Sequence, residues 1–165
     1  MKYTIKEGKH FCNFTIDKLQ PFATKRVGTF KLDTDCWYKA TEAQPAGWNK
    51  LVGITEISIP FTDTGIHWNS GRLVYQALPE YGWFKIAWYV YSGGVRKEKE
   101  IGRFKAGHEY DFMVCHTGLV WRFLFDEETY LVEGETPRWS TLKCYPYFGG
   151  RARSPRTSHI TIKYE

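Results

Sequence analysis

The chain has 165 residues, of which 42% are hydrophobic, 18% aromatic and 25% charged, and its formal net charge is +5. That is the size of one ordinary domain, read here as a single unit over residues 1–165, and it is long enough to bury a core without disulfides or a structural metal. No apolar run reaches the length of a membrane-spanning helix, and Met1 to Gln20 lack the apolar stretch of a signal peptide, so the expected location is the cytoplasm where the chain is made.

In chain order the pattern is short runs of alternating, β-branched or aromatic residues, each ended by Gly, Pro, Asn or Asp, which predicts strands joined by turns. The first half predicts strands at residues 3–6, 10–16, 26–32, 51–59 and 66–77, with a loop over 41–49 and a turn region over 60–65. The second half is more regular. Residues 83–91 (WFKIAWYVY) lead through Ser92-Gly93-Gly94 into a return strand over 95–104. Further strands follow at 108–116, 119–125 and 129–133, then at 142–148 and 158–164. About eleven or twelve strands are too many for one open sheet, so the predicted fold is all-β, an antiparallel two-sheet sandwich of jelly-roll type.

Alternation assigns the faces. Phe84, Ile86, Trp88 and Val90 form the natural core face of their strand, opposite Trp83, Lys85, Ala87, Tyr89 and Tyr91. Trp121, Phe123 and Phe125 oppose Arg122, and Leu142, Cys144 and Phe148 oppose Lys143, Tyr145 and Tyr147. Seven Trp, eleven Tyr and eleven Phe exceed the ordinary need of a core this size, so some rings are expected at a surface. If the strands share a sheet, Trp83, Tyr89, Tyr91, Arg122, Tyr145 and Tyr147 form one aromatic, partly cationic face. Such a face suits a protein interface or the flat side of a sugar ring.

Charge is uneven along the chain. Residues 1–137 carry equal numbers of basic and acidic side chains; the excess lies in residues 138–165, where Arg138, Lys143, Arg151, Arg153, Arg156 and Lys163 face Glu165 alone. Arg151, Arg153 and Arg156 form a basic loop suited to phosphate, a carboxylate-rich glycan or an acidic protein. No nucleic-acid motif accompanies it and the remainder is neutral, so nucleic acid is not the expected partner.

Chemical motifs are weak. Hydrolysis of a glycoside needs two carboxylates across a cleft. The pairs Asp33 and Asp35, Glu98 and Glu100, Glu109 and Asp111, and Glu133 and Glu135 each read more simply as solvated strand or turn charges; the run containing Glu98 and Glu100 suits a strand edge. His10, His67, His108, His116 and His159 form no spaced ligand pair, and Cys12, Cys36, Cys115 and Cys144 contain no C-x-x-C, so no metal or cofactor is expected and the cysteines read as buried thiols. Cys115 and His116 are adjacent and therefore point to opposite faces of a strand.

The stretch Tyr145-Pro146-Tyr147-Phe148-Gly149-Gly150, a loop with Pro155, and the strand His159-Ile160-Thr161-Ile162 resemble the C-terminal part of small β-sandwich proteins of Bacteroidetes and their phages. Residues 67–75 (HWNSGRLVY) and the hairpin after them are also similar, and the strand pattern looks like concanavalin-like jelly rolls. The resemblance implies no catalytic residues. It implies a non-catalytic sandwich acting through its surface, foremost a structural or decoration component of a phage-like virion with protein partners or self-association. A carbohydrate-binding module and a glycan-cleaving enzyme are the alternatives.

Overall fold

A computed structural model describes residues 1–13, 24–41, 47–56, 68–137, 141–150 and 153–165. Eleven strands are defined among them: β1 (Lys2–Ile5), β2 (Lys25–Leu32), β3 (Asn49–Glu56), β4 (Ser70–Ala77), β5 (Trp83–Ser92), β6 (Val95–Lys105), β7 (Tyr110–Thr117), β8 (Val120–Phe125), β9 (Glu128–Glu133), β10 (Thr141–Cys144) and β11 (Ser158–Tyr164). They form a six-stranded sheet in the order β1-β11-β2-β7-β8-β9 and a five-stranded sheet in the order β10-β3-β4-β5-β6. Every pairing is antiparallel, so the architecture is the expected two-sheet jelly-roll sandwich. No helix among the described residues is long and apolar enough to cross a membrane.

The space between the sheets is filled largely by rings. Phe30 of β2 meets Phe104 of β6 edge-to-face at 5.3 Å, Phe104 stacks on Phe84 at 5.1 Å, and Trp88 lies 6.4 Å from Phe123 across the layer. Trp121 is fully buried and packs onto Gly71 of β4. Two broad sheets about 10 Å apart leave a thick layer, and rings fill it with few side chains. Much of the aromatic excess is therefore core rather than surface, and the expected faces of β5 and β8 are the observed ones.

Three departures from the predicted strands matter. The run at 142–148 ends as a strand at Cys144, because Pro146 has no N–H to continue the ladder. Residues 10–16 give no regular strand within their described part; Phe11 and Cys12 make single bridges to Tyr147 and Ile5. A bulge at Leu51 shifts the β3–β4 register, and both Leu51 and Val52 are buried. The predicted turn at 60–65, the ends of the 51–59 and 66–77 strands, His67 and Arg151 lie outside the described residues.

Candidate functional site

The outer face of the five-stranded sheet is the unusual surface. Position by position it carries Lys50 and Gly53 of β3, Ser70, Arg72, Val74 and Gln76 of β4, Lys85, Ala87, Tyr89 and Tyr91 of β5, and Arg96, Glu98 and Glu100 of β6. On it Val74 and Ala87 are fully buried and Tyr89 is 4% exposed, with Trp48 and Tyr91 packed on them. Arg72 is 5% exposed.

Lys50 is the centre of this cluster. Its Nζ lies 5.5 Å from the Tyr89 ring and 5.8 Å from the Tyr147 ring, and it donates to the Trp48 carbonyl at 3.3 Å. Burial, and after it the charges of Arg72 and Arg96, lower its ammonium to about 8, with Glu98 pulling the other way. Tyr89 is raised to about 12 by burial and by its hydrogen bond with Tyr91, whose hydroxyl is 3.3 Å away. Arg96 has its guanidinium 5.9 Å from the Tyr89 ring, and its bond to the Tyr89 oxygen raises it further. The group thus combines an amine poised to lose its proton with two guanidinium groups and a phenol, Tyr89, that holds its proton more tightly than usual.

The backbone explains how these residues meet. Past Pro146 the chain rejoins the sheet at Tyr147, which exchanges both backbone hydrogen bonds with Lys50, at 2.8 and 2.9 Å. Gly149 N–H then donates to Oδ1 of the buried Asn49 at 2.9 Å. A Cβ on Gly149 would lie 1.9 Å from the Trp48 carbonyl oxygen and 3.1 Å from Lys50 Nζ, so only glycine lets this loop lie against β3. Gly53 serves the same end, since the Arg72 side chain runs across it, 2.8 Å from where a Cβ would stand. His10 stacks on Tyr147 at 5.4 Å and donates from Nδ1 to the Phe148 carbonyl at 2.8 Å. A carbonyl only accepts, so in the neutral ring the proton sits on Nδ1 and Nε2 keeps its lone pair. Trp48 crosses the face from the start of β3 to β6, with Nε1 bound to Glu98 at 3.0 Å and Lys85 Nζ 5.0 Å from its ring.

The six residues expected to share one aromatic face are divided. Trp83, Tyr89 and Tyr91 lie on this face of β5, and Tyr147 reaches it through Lys50. Arg122 lies on β8 in the other sheet, exposed on the far side of the sandwich. Tyr145 turns toward the core, its ring 5.9 Å from that of buried Tyr3. With β10 ended, alternation no longer relates residue 145 to residue 147. Inward-facing Lys143 also departs from expectation: it is 6% exposed, with Nζ 3.4 Å from the centre of the Tyr164 ring. Of the basic loop, Arg153 and Arg156 are exposed. Lys50, Arg72, Arg96, His10 and Trp48 were not singled out by the sequence. The available signal was a lone cation inside an apolar strand, as in Ser70-Gly71-Arg72-Leu73-Val74.

Five of the paired carboxylates are braces. Glu98 holds Trp48 and Arg96, Glu100 pairs with Lys85 and Arg103, Asp33 with Lys31, Asp35 with His159, and Glu109 with Lys163. Beside Glu133 and Glu135, the backbone carbonyl of Glu133 accepts from Lys97 and that of Glu135 from Trp121. His116 packs against Trp121, and burial lowers its pKa. Cys36 is buried and its thiol is pushed up, foremost by burial; all four cysteines are free thiols. No group of three metal-ligating side chains occurs among the described residues.

This sandwich matches those of solved polysaccharide lyases. An alginate lyase from Alteromonas sp. 272 superposes with a TM-score of 0.54 at 11% identity, over 99% of this chain and 77% of that one. The alginate lyase AlyC3 gives 0.58 at 12% identity, over 86% and 63%. The marine PL7 alginate lyase AlyA1 from Zobellia galactanivorans gives 0.57 at 11% identity, over 100% and 65%. At such identities the likeness is one of fold. No protein-family model and no curated protein matches the chain. The comparison overturns the expectation of a non-catalytic virion component: the three solved proteins named above, which share this sandwich over 86–100% of the chain, are alginate lyases, and the phage context finds no support in them.

Proposed function

We propose that this chain is a polysaccharide lyase that cleaves a uronate-containing polysaccharide by β-elimination at the Lys50 cluster. The carrying observation is Lys50 itself, a half-buried amine lowered to about 8 between Arg72, Arg96 and two tyrosines, on a sheet face of a fold shared with alginate lyases.

The residues suit each step. Arg72 and Arg96 bind the sugar carboxylate and stabilise the negative charge that grows on it when the neighbouring carbon loses its proton. Lys50, as the neutral amine, takes that proton. The electron pair left behind forms the carbon–carbon double bond, the bond to the glycosidic oxygen breaks, and that oxygen takes a proton from the Tyr147 hydroxyl. Lys50 then returns a proton to Tyr147, so no water is consumed. Hydrolysis would instead need a carboxylate pair flanking the bond, and Glu98 and Glu100 on this face are held by Trp48, Arg96, Lys85 and Arg103. The resemblance of residues 66–164 to sandwich proteins of Bacteroidetes and their phages adds no chemistry to this proposal.

Alginate is the first substrate to try, followed by other polyuronates, with the ultraviolet absorbance of the unsaturated product as the readout. Wild type should generate absorbing product and Lys50→Ala should not. New reducing ends without absorbance would mean hydrolysis, and no cleavage of any polyuronate would remove the lyase reading.

A further inference from the structure

The mechanism leaves unused a shelf at the edge of the site. Gly8 N–H donates to the Ser154 carbonyl at 2.9 Å, Ser154 N–H to Lys9 at 3.0 Å, and Phe148 N–H to His10 at 2.8 Å, while Phe11 bridges Tyr147. The segment is thus pinned along its length to the C-terminal loop. On it stands Phe11, 74% exposed, its ring edge-to-face with Tyr147 at 5.0 Å. Single exposed apolar side chains are ordinary. Phe11 differs in being held on a fixed backbone, against the residue proposed to protonate the leaving group. Exposed Lys9, Arg153 and Arg156 belong to the same pinned pair of segments.

Resting on the lyase reading, we infer that Phe11 with Lys9, Arg153 and Arg156 forms an additional sugar subsite, which takes a uronate of the same chain beyond the cleavage point. A pyranose face of C–H bonds stacks on an open ring, and the cations attract the carboxylate. From Phe11 through Tyr147, Lys50 and Tyr89 to Arg96, successive rings and cations lie 5.0, 5.8, 5.5 and 5.9 Å apart, a continuous file across the sheet. Short oligosaccharides span only part of it. The subsite therefore selects for chain length, and its basic part makes binding of long chains salt-dependent.

Calorimetric titration tests this with defined alginate hexasaccharides and trisaccharides. The protein is the Lys50→Ala variant, so that ligand is not consumed, with and without Phe11→Ala. Phe11→Ala should weaken hexasaccharide binding about tenfold, leave the trisaccharide unchanged, and be rescued by Phe11→Trp. Arg153→Ala with Arg156→Ala should flatten the salt dependence for the hexasaccharide alone. Unfolding temperatures equal to the parent's confirm folded variants. Equal affinities with and without Phe11, or no binding of either ligand, would overturn the subsite. Cleavage by wild type is scored separately: cleavage without Phe11-dependent affinity removes the subsite and keeps the lyase reading. Phe11-dependent binding by a wild-type protein that cleaves nothing does the reverse.

Discussion

The two outer faces of the sandwich are built by the same rules and look unlike each other. On the six-stranded sheet, charges pair in water: Lys163 bonds Glu109 at 2.8 Å, Thr29 bonds the same acid at 2.8 Å, Arg122 stands exposed, and even Leu131 is 64% exposed. Such pairs contribute little and cost little. On the five-stranded sheet Arg72 and Tyr89 are buried and Lys50 is half-buried. Desolvating cations costs free energy that folding alone does not recover. The proposed site lies on the face that holds such groups, and the ordinary face serves as its internal control.

The sharpest way to break this contrast is at Lys50. Lys50→Ala should lower kcat by about 10²–10⁴-fold. Lys50→Arg, which keeps the charge but offers no basic lone pair, should be nearly as inactive. Steady-state rates from product absorbance decide it, and activity retained in Lys50→Arg would move the base to Nε2 of His10.

The next largest effect is on pH. In the proposed mechanism the neutral amine is the active form, so kcat/KM should rise about tenfold per pH unit below about pH 8 and level off above it. Glu98 holds the Lys50 value up, so Glu98→Gln should move this limb to lower pH. A limb that stays in place in Glu98→Gln would separate the two groups.

A purely steric test comes third. Gly149→Ala forces a Cβ against the Trp48 carbonyl and should cost about 1–3 kcal/mol in chemical denaturation, with activity falling as Lys50 is displaced. At the small end, Arg122→Ala on the opposite face should change stability by no more than about 0.5 kcal/mol and leave the rate alone. A large loss of activity there would erase the distinction between the faces.

Parts of this site were legible before folding and parts were not. Alternation placed Trp83, Tyr89 and Tyr91 together on one face of β5, because period-2 geometry is local. It failed at Tyr145, which Pro146 separates from Tyr147 by interrupting the ladder, and at Arg122, whose strand pairs into the other sheet. The carboxylate pairs drew attention because hydrolysis needs them, while an elimination site made of Lys, Arg and Tyr has no short spacing to find: Lys50, Arg72, Arg96 and Tyr147 come from four separate segments.

The amino-acid order by itself determines most of the strands, the apolar faces of β5 and β8 and the all-β sandwich, since backbone preference and side-chain alternation act over a few residues. The tertiary structure alone decides which strands share a sheet, which cations lose water, and that Lys50 sits between Arg72 and Tyr147. Those depend on long-range pairing, and the lowered pKa that makes Lys50 a candidate base is a property of its neighbours rather than of its place in the chain.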